Sequence, residues 1–358
     1  MKIALIRRHF SPTGGAELYL QRLIEALAEA RHELHLFAET WAQTPAGVSF
    51  HPVDVHGSRA ERPLRFAEAV ETELAQCRLD CVFSLERTLR QDVYRAGDGV
   101  HRVWLLRRRQ FAPWWRKPLI GWGAFHKNML WLEAQTFDPR NTRFIIANSE
   151  MVRREILEHF RFPADRILLV RNGVEVARLQ KGDRVATRTR FGVKENEFLL
   201  LFAGSGWERK GLAYVLQALR AWPSGTVKLL VAGKGNQPRG APPNAIFAGA
   251  LTEMHHAYAA ADLLAFVPIY EPSANVCYEA LAAGLPVVTS AYNGAGEIIQ
   301  EKVNGSVISN PADIVALVEA IEYWKERRPR PPVPTAVDLS LSRNVQQTVA
   351  VLEIAARQ

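Results

Sequence analysis

Cysteine is scarce in this chain of 358 residues: Cys77, Cys81 and Cys277 leave one unpaired and form no Cys-x-x-Cys. That argues against a disulfide framework or a cysteine zinc site and suits reduced thiols. The chain has no run of about eighteen uncharged apolar residues, so no membrane-spanning helix is expected. The opening MKIALIRRHF gains charge too early for the apolar region of a signal peptide, so the expected location is the cytoplasm. Gly-x-Gly-x-x-Gly is missing, which excludes the dinucleotide fingerprint. There is no internal repeat and no low-complexity tail.

What is there is ordinary in bulk and uneven in detail. The length favours two domains, each large enough for its own core. Hydrophobic content of 48% and charged content of 23% fit a globular protein. Net charge is +8, which favours polyanionic partners: nucleic acid, an anionic membrane or phosphorylated substrates. No nucleic-acid motif accompanies it.

Strand-like and helix-like stretches alternate from the start, which predicts an α/β protein with parallel sheets covered by helices. KIALIRRHF reads as a strand, and Gly14 and Gly15 fall in the turn that feeds an amphipathic helix with Leu20, Leu23, Ile24 and Leu27 on one stripe. ELHLFAET, VSFHPVDV, CVFSLER and RFIIANS read as further strands. Asp98 and His101 sit in a glycine-containing loop after another β-like run, where open α/β sheets collect ligand groups. We expect a first domain over 1–175, a boundary inside the polar, basic stretch that follows, and a second domain over 197–330. PRPPVPTAVD is too proline-rich for a helix, and 340–358 reads as a last helix packing back across the domains.

The second half carries the sharpest pattern. In YEPSANVCYEALAAGLPVVTS, Glu271 and Glu279 are separated by seven residues. Pro272 fits a first helical turn, Gly284 and Pro286 end the helix, and PVVTS reads as a buried strand. Glu271 then lies in the loop ahead of the helix and Glu279 about two turns inside it. Amides of Ser273, Ala274, Asn275 and Val276 would lack intrahelical partners and, with the helix dipole, suit a pyrophosphate. Upstream, GWERKGLAYVLQALR reads as a turn and helix with Arg209 and Lys210 at the junction. Cations beside a helix N-terminus are unfavourable unless an anion lies between them.

Glu-x7-Glu followed by an alanine-rich turn and GLPVV resembles the donor-site signature of retaining glycosyltransferases of family 4, which have the GT-B fold. That fold is two Rossmann-like, doubly wound domains facing a central cleft. The resemblance covers nearly the whole chain and is strongest at Gly14-Gly15, Arg209-Lys210-Gly211 and Glu271 to Glu279. It departs from the pattern at Ala274, where the family usually has glycine. The branch it is most similar to is the lipopolysaccharide-core glucosyltransferase I group. The resemblance implies transfer of a hexose, as glucose from UDP-glucose, to a lipid-linked glycan such as an inner-core heptose. It implies catalytic or charge-stabilising roles for Asp98, His101, Arg209, Lys210 and Glu271. It implies donor contacts from Gly14, Gly15, Ser205, Ser273, Ala274, Asn275, Val276 and Glu279. No cofactor and no metal is expected, since Asp-x-Asp is absent and Arg209, Lys210 and helix amides can meet the leaving diphosphate.

One segment stands apart from that signature. From His101 through Leu132 there are seven Arg or Lys, no acid, and five of the nine tryptophans. Tryptophan favours lipid–water boundaries and basic residues favour anionic headgroups, so 102–131 reads as a membrane-contact segment on the inner face of the cytoplasmic membrane. The alternative is that the tryptophans fill a core and the arginines form a solvated rim. Three other readings of the whole chain remain open: an epimerase or phosphorylase on the same fold, a family 4 transferase acting on another envelope glycan, and a non-catalytic nucleotide-sugar-binding subunit.

Overall fold

The structure, a computed structural model, describes residues 1–9, 15–41, 47–223, 225–327 and 337–357. Two compact units form: Met1–Arg171 together with Leu341–Gln358, and Asn172–Ser340.

In the first unit seven strands make one sheet: β1 (Lys2–Ile6), β2 (Glu33–Ala38), β3 (Val48–Pro52), β4 (Cys81–Ser84), β5 (Gln91–Arg95), β6 (Thr142–Ala147) and β7 (Ile167–Leu169). Their order is β3-β2-β1-β4-β5-β6-β7, parallel throughout. Ile3, Ala4, Leu5 and Ile6 are all fully buried, as expected of a strand covered on both faces. One face packs on Leu20, Leu23 and Leu27 of the helix Gly15–Glu29, the other on Phe66 and Val70 of the helix Arg62–Leu74.

The chain's last helix, Leu341–Arg357, belongs to this unit. Its Val345, Val351 and Leu352 join the same core face as the helix Gly15–Glu29. Tyr19 and Thr348 share a buried hydrogen bond of 3.3 Å, and Asn344 Nδ2 donates to Arg171 O at 2.5 Å. A core built at the start of the chain is thus completed by its end.

In the second unit six strands form a parallel sheet: β8 (Phe198–Ala203), β9 (Val227–Ala232), β10 (Ala245–Gly249), β11 (Leu263–Phe266), β12 (Val287–Ser290) and β13 (Gly305–Ile308). The order is β10-β9-β8-β11-β12-β13. The order of each sheet reverses next to its first strand, between β1 and β4 and between β8 and β11. Open α/β sheets bind ligands at the carboxyl ends of strands flanking such a reversal.

The division between units falls at Arg171 and Asn172, ahead of the polar stretch that the sequence assigns to a boundary. That stretch is folded into the second unit as the helices Val176–Leu179 and Arg184–Arg190. Arg184 and Arg188 reach Asp262 at 2.9 and 3.3 Å, and Arg188 also donates to Ala260 O and Glu197 O. Of the charges that look like a solvated linker, Arg188 is buried against Asp262 and Arg184 lies half-buried beside it.

Candidate active site

At the tip of β8, Gly204 and Gly233 lie back to back, and a Cβ on Gly233 would come within 2.2 Å of Gly204 O. Ser205, exposed, accepts the Lys234 N–H on Oγ at 2.9 Å, which ties the loop after β9 to the loop after β8. Trp207 Nε1 donates to Gly204 O at 3.0 Å. Arg209 and Lys210 end a short helix, Trp207–Lys210, and a new helix begins at Leu212. Gly211 makes the break with φ +79°, and a Cβ there would stand 1.9 Å from Val267 O. The cations close one helical turn and also stand directly ahead of Gly211, the N-cap of the helix Leu212–Leu219, so the junction of two cations with a helix N-terminus that the sequence implies is present.

Of the two cations, Arg209 contacts one glutamate, and Lys210 acts on the other only through its charge. Arg209 Nη2 lies 3.1 Å from Glu271 Oε2. Lys210 runs past Gly204, with Nζ 5.7 Å from the centre of the Phe266 ring, and its charge acts on Glu279. Glu271 itself is fixed by its backbone: its N–H donates to Tyr292 O at 2.8 Å and its carbonyl accepts from Gly294 N at 3.0 Å.

The helix that the resemblance assigns to the donor runs from Asn275 to Ala282, later than the sequence places it. Pro272, Ser273 and Ala274 precede it, and Ala274 is extended, with φ −71° and ψ 115°. Asn293 holds them there. Only 2% exposed, it accepts on Oδ1 from the Ala274 and Ala295 amides, each at 3.1 Å, and donates to Thr289 Oγ1 at 2.9 Å. Asn172 donates to Ser273 O at 2.9 Å and to Asn275 Oδ1 at 2.7 Å.

Two corrections follow. The Ala274 amide is already spent on Asn293, so it does not offer itself to an anion. Glu279 lies just past the first turn instead of two turns in. Ser273 is buried, with its hydroxyl donating to Tyr278 at 3.1 Å. The amides of Asn275 and Val276 lie half-buried at the helix start, where an anion can meet them.

Glu279 accepts from the Tyr258 hydroxyl at 2.5 Å. Burial pushes its carboxyl above the usual range, while the Tyr258 hydrogen bond, Arg178 and Lys210 pull the other way. The Tyr258 phenol is held well above its ordinary value by burial and by the Glu279 charge.

In the first unit, the carboxyl ends of β1 and β4 carry Arg7 and Glu86, paired at 3.2 Å. Burial raises the Glu86 carboxyl, Arg7 lowers it, and Asp98 raises it again. Asp98 is exposed in the loop after β5. His101 opens the helix His101–Phe111 and lies half-buried, its Nε2 3.1 Å from His126 Nδ1. Burial, then Arg87 and His126, bring the His101 imidazole down to about 4 against an opposing pull from Asp98, so it is neutral at physiological pH. Glu133 accepts the His101 and Arg102 amides and pairs with Arg87 at 3.4 Å. Gly14 lies outside the described residues, and Gly15 is the first residue of its helix.

Sequence reasoning missed Asn172, Tyr258, Asn293, Glu86, His126 and Glu133. Glu133 left a trace, as the first acid after a long acid-free run. Asn172 and Asn293 sit in Asn-Gly turns, where asparagine has a sufficient local explanation. Among the described residues one group has metal-ligand types close together: Glu253, His255 and His256, with ligand atoms within 4.8 Å of one another. His256 Nδ1 already accepts the Asp183 N–H at 3.0 Å, which occupies that nitrogen.

Two family descriptions match in tandem: Glycosyltransferase Family 4 over residues 13–178 and Glycosyl transferases group 1 over residues 183–335. The chain belongs to the family 4 glycosyltransferases, on a GT-B type of fold. Among relatives, it is 25% identical over 334 residues to the lipopolysaccharide glucosyltransferase WaaG of Escherichia coli K12, covering 87% of this chain and 86% of that one. The WaaG crystal structure superposes with a TM-score of 0.79 at 22% identity, over 99% of this chain and 98% of that one. Anabaena HepE with UDP and glucose gives 0.72 at 18% identity, covering 99% of each chain. An uncharacterized glycosyltransferase of Methanocaldococcus jannaschii is 28% identical over 195 residues, 49% of this chain and 50% of that protein, so the chain spans about half the length of that relative.

Proposed function

We propose that the protein is a retaining hexosyltransferase that moves glucose from UDP-glucose to a lipid-linked glycan at a membrane surface, the acceptor being an inner-core heptose of lipopolysaccharide. The observation that carries this reading is the pair Glu271 and Glu279, which flank the start of one helix beside a strand reversal. Glu271 is paired with Arg209 at 3.1 Å, and Glu279 accepts from the Tyr258 hydroxyl and feels the charges of Arg178 and Lys210. In this reading Glu279 binds the ribose hydroxyls and Glu271 the hexose, while Arg209, Lys210 and the Asn275 and Val276 amides bind the diphosphate. The resemblance assigns Asp98 and His101 to the hexose hydroxyls. A neutral His101 accepts or donates one hydrogen bond.

The chemistry asked of the protein is positioning and charge stabilisation. The bond from the anomeric carbon to the diphosphate oxygen breaks as the acceptor hydroxyl approaches the same face. The acceptor proton passes to the departing diphosphate, and a new glycosidic bond forms with the configuration kept. Preorganised donors around a developing charge stabilise such a step without a protein nucleophile. No metal ion is assigned a part.

Support for the membrane surface comes from the segment after the helix His101–Phe111. Trp114, Trp115 and Trp122 are 79%, 61% and 78% exposed, so they do not fill a core. Leu119 is exposed as well, and Arg116 and Lys117 lie among them with no acid nearby in sequence. Apolar rings interleaved with cations suit an anionic lipid surface, each cation contributing about 1 kcal/mol near it. No described helix is long and apolar enough to cross a membrane.

The test is transfer from labelled UDP-glucose to a heptose acceptor, in lipid-linked and delipidated forms, with the product linkage read by NMR. Retention of the α configuration in a disaccharide supports the proposal; donor consumed with no transfer, or an inverted linkage, overturns it. Reversing the charges of Arg107, Arg108, Arg109, Arg116 and Lys117 should abolish binding to anionic vesicles and transfer on membranes while sparing the delipidated acceptor. Equal binding of the unaltered protein to neutral and anionic vesicles would remove the electrostatic part of the reading.

A further inference from the structure

Tyr258 has no assigned part in the chemistry above, yet its hydroxyl is aimed at the one carboxylate placed for nucleotide recognition. Its side chain is fully buried in the helix Met254–Ala260, so the ring cannot turn away. Its hydroxyl donates to Glu279 Oε2 at 2.5 Å. Three other groups act on this pair: Arg178 from the helix Val176–Leu179, Lys210 from the turn beside β8, and Cys277 from Glu279's own helix. The Cys277 thiol is pushed up to about 12 by burial and stays protonated.

An ionised carboxylate only accepts hydrogen bonds, and it has room for several. With Oε2 tied to an immovable phenol, Oε1 remains for a ligand, and the plane of the group is fixed. A vicinal diol presents two O–H donors, which suit an ionised carboxylate and not a neutral acid, whose own proton replaces an acceptor site. Burial drives Glu279 toward that neutral form, and a hydrogen bond donated to the charged form opposes it.

We propose that Tyr258 is a positioning residue for nucleotide recognition: its hydroxyl orients Glu279 and keeps it an acceptor for a vicinal diol such as the ribose of a nucleoside diphosphate. The inference rests on the reading of Glu279 given under Proposed function, and the experiment separates the two. A tyrosine serving only to fill the core would affect all ligands alike; one that presents Glu279 affects the diol alone.

The experiment compares calorimetric affinities for UDP and for 2′,3′-dideoxyuridine 5′-diphosphate from about pH 5 to about pH 8, since the ratio of the two cancels protonation of the diphosphate itself. In the unaltered protein the ratio should favour UDP and decline as pH falls and Glu279 takes up a proton. Tyr258→Phe keeps the ring, and should cut the ratio by about tenfold, the low end for a hydrogen bond to a charged group. Its decline should also begin at higher pH, because the donor that favoured the carboxylate is gone. Site-specific replacement of Tyr258 by 3-fluorotyrosine, a more acidic phenol and a stronger donor, should move the decline to lower pH. That variant keeps the test alive if the phenylalanine form does not fold. The inference is overturned if both variants keep the original ratio and pH profile, or lose both ligands equally, while Glu279→Gln has lost the preference for UDP. If Glu279→Gln keeps that preference, the reading of Glu279 fails, and the inference with it.

Discussion

His101 Nε2 and His126 Nδ1 face each other at 3.1 Å, so that one ring donates and the other accepts. Their rings stack with centroids 5.3 Å apart. His126 stands near the start of the helix Ala124–Thr136, which follows directly on the exposed Trp122. The catalytic candidate is thus braced by the element that leads out of the tryptophan-rich segment.

That brace has an acid limit. With the folded value near 4 and the unfolded one near 6.5, the unfolded chain binds more protons between those pH values. Stability therefore rises with pH across the window and is lost as pH falls through it. Glu86 and Glu133, raised by burial, act in the opposite sense, so the comparison must be made against a variant. Melting temperatures of His101→Asn should fall less than those of the unaltered protein on acidification from pH 6.5 to 4. Parallel falls would show that His101 is not the group involved.

Glu279→Ala and Glu271→Ala should damage different things. Loss of Glu279 should weaken UDP binding by about 1.5–3 kcal/mol, the range for a charged hydrogen bond. Loss of Glu271 should leave UDP affinity nearly unchanged, since Arg209 is freed from its 3.1 Å pair, while turnover falls. Equal losses of UDP affinity by calorimetry would refute the division.

Arg209→Ala and Lys210→Ala should each lower kcat by roughly 10²–10³, as removal of one preorganised donor does elsewhere. Turnover should persist in EDTA. Activity lost to the chelator and restored by magnesium or manganese would require a metal in the mechanism.

Asn293→Ala should leave the amides of Ala274 and Ala295 without their acceptor in the interior. Each unsatisfied group costs about 1–3 kcal/mol, so a stability loss of about 2–6 kcal/mol is expected in urea unfolding. The same variant should weaken UDP binding, because the residues ahead of the donor helix lose the contact that keeps them extended. Unchanged stability would mean that water replaces the side chain.

Much of the fold was legible because its signals are local. Buried β-branched and leucine-rich runs such as FLLLFA, alternating with helix-length stretches, imply parallel sheets whatever lies far away in the chain. Glu271, Glu279, Arg209 and Lys210 stood out by spacing and charge within short segments, and the resemblance to family 4 gave them roles. The tertiary structure decided what depends on partners distant in sequence. Asn293 and Asn172 set where the donor helix begins, across 19 and 103 residues, so a helix start read from Pro272 alone comes out too early. Asp262 draws Arg184 and Arg188 inward across more than seventy residues, turning an apparent linker into part of a core. A hydrogen bond's partner is fixed by where the backbone brings two groups in space, and no composition or period within a segment records that.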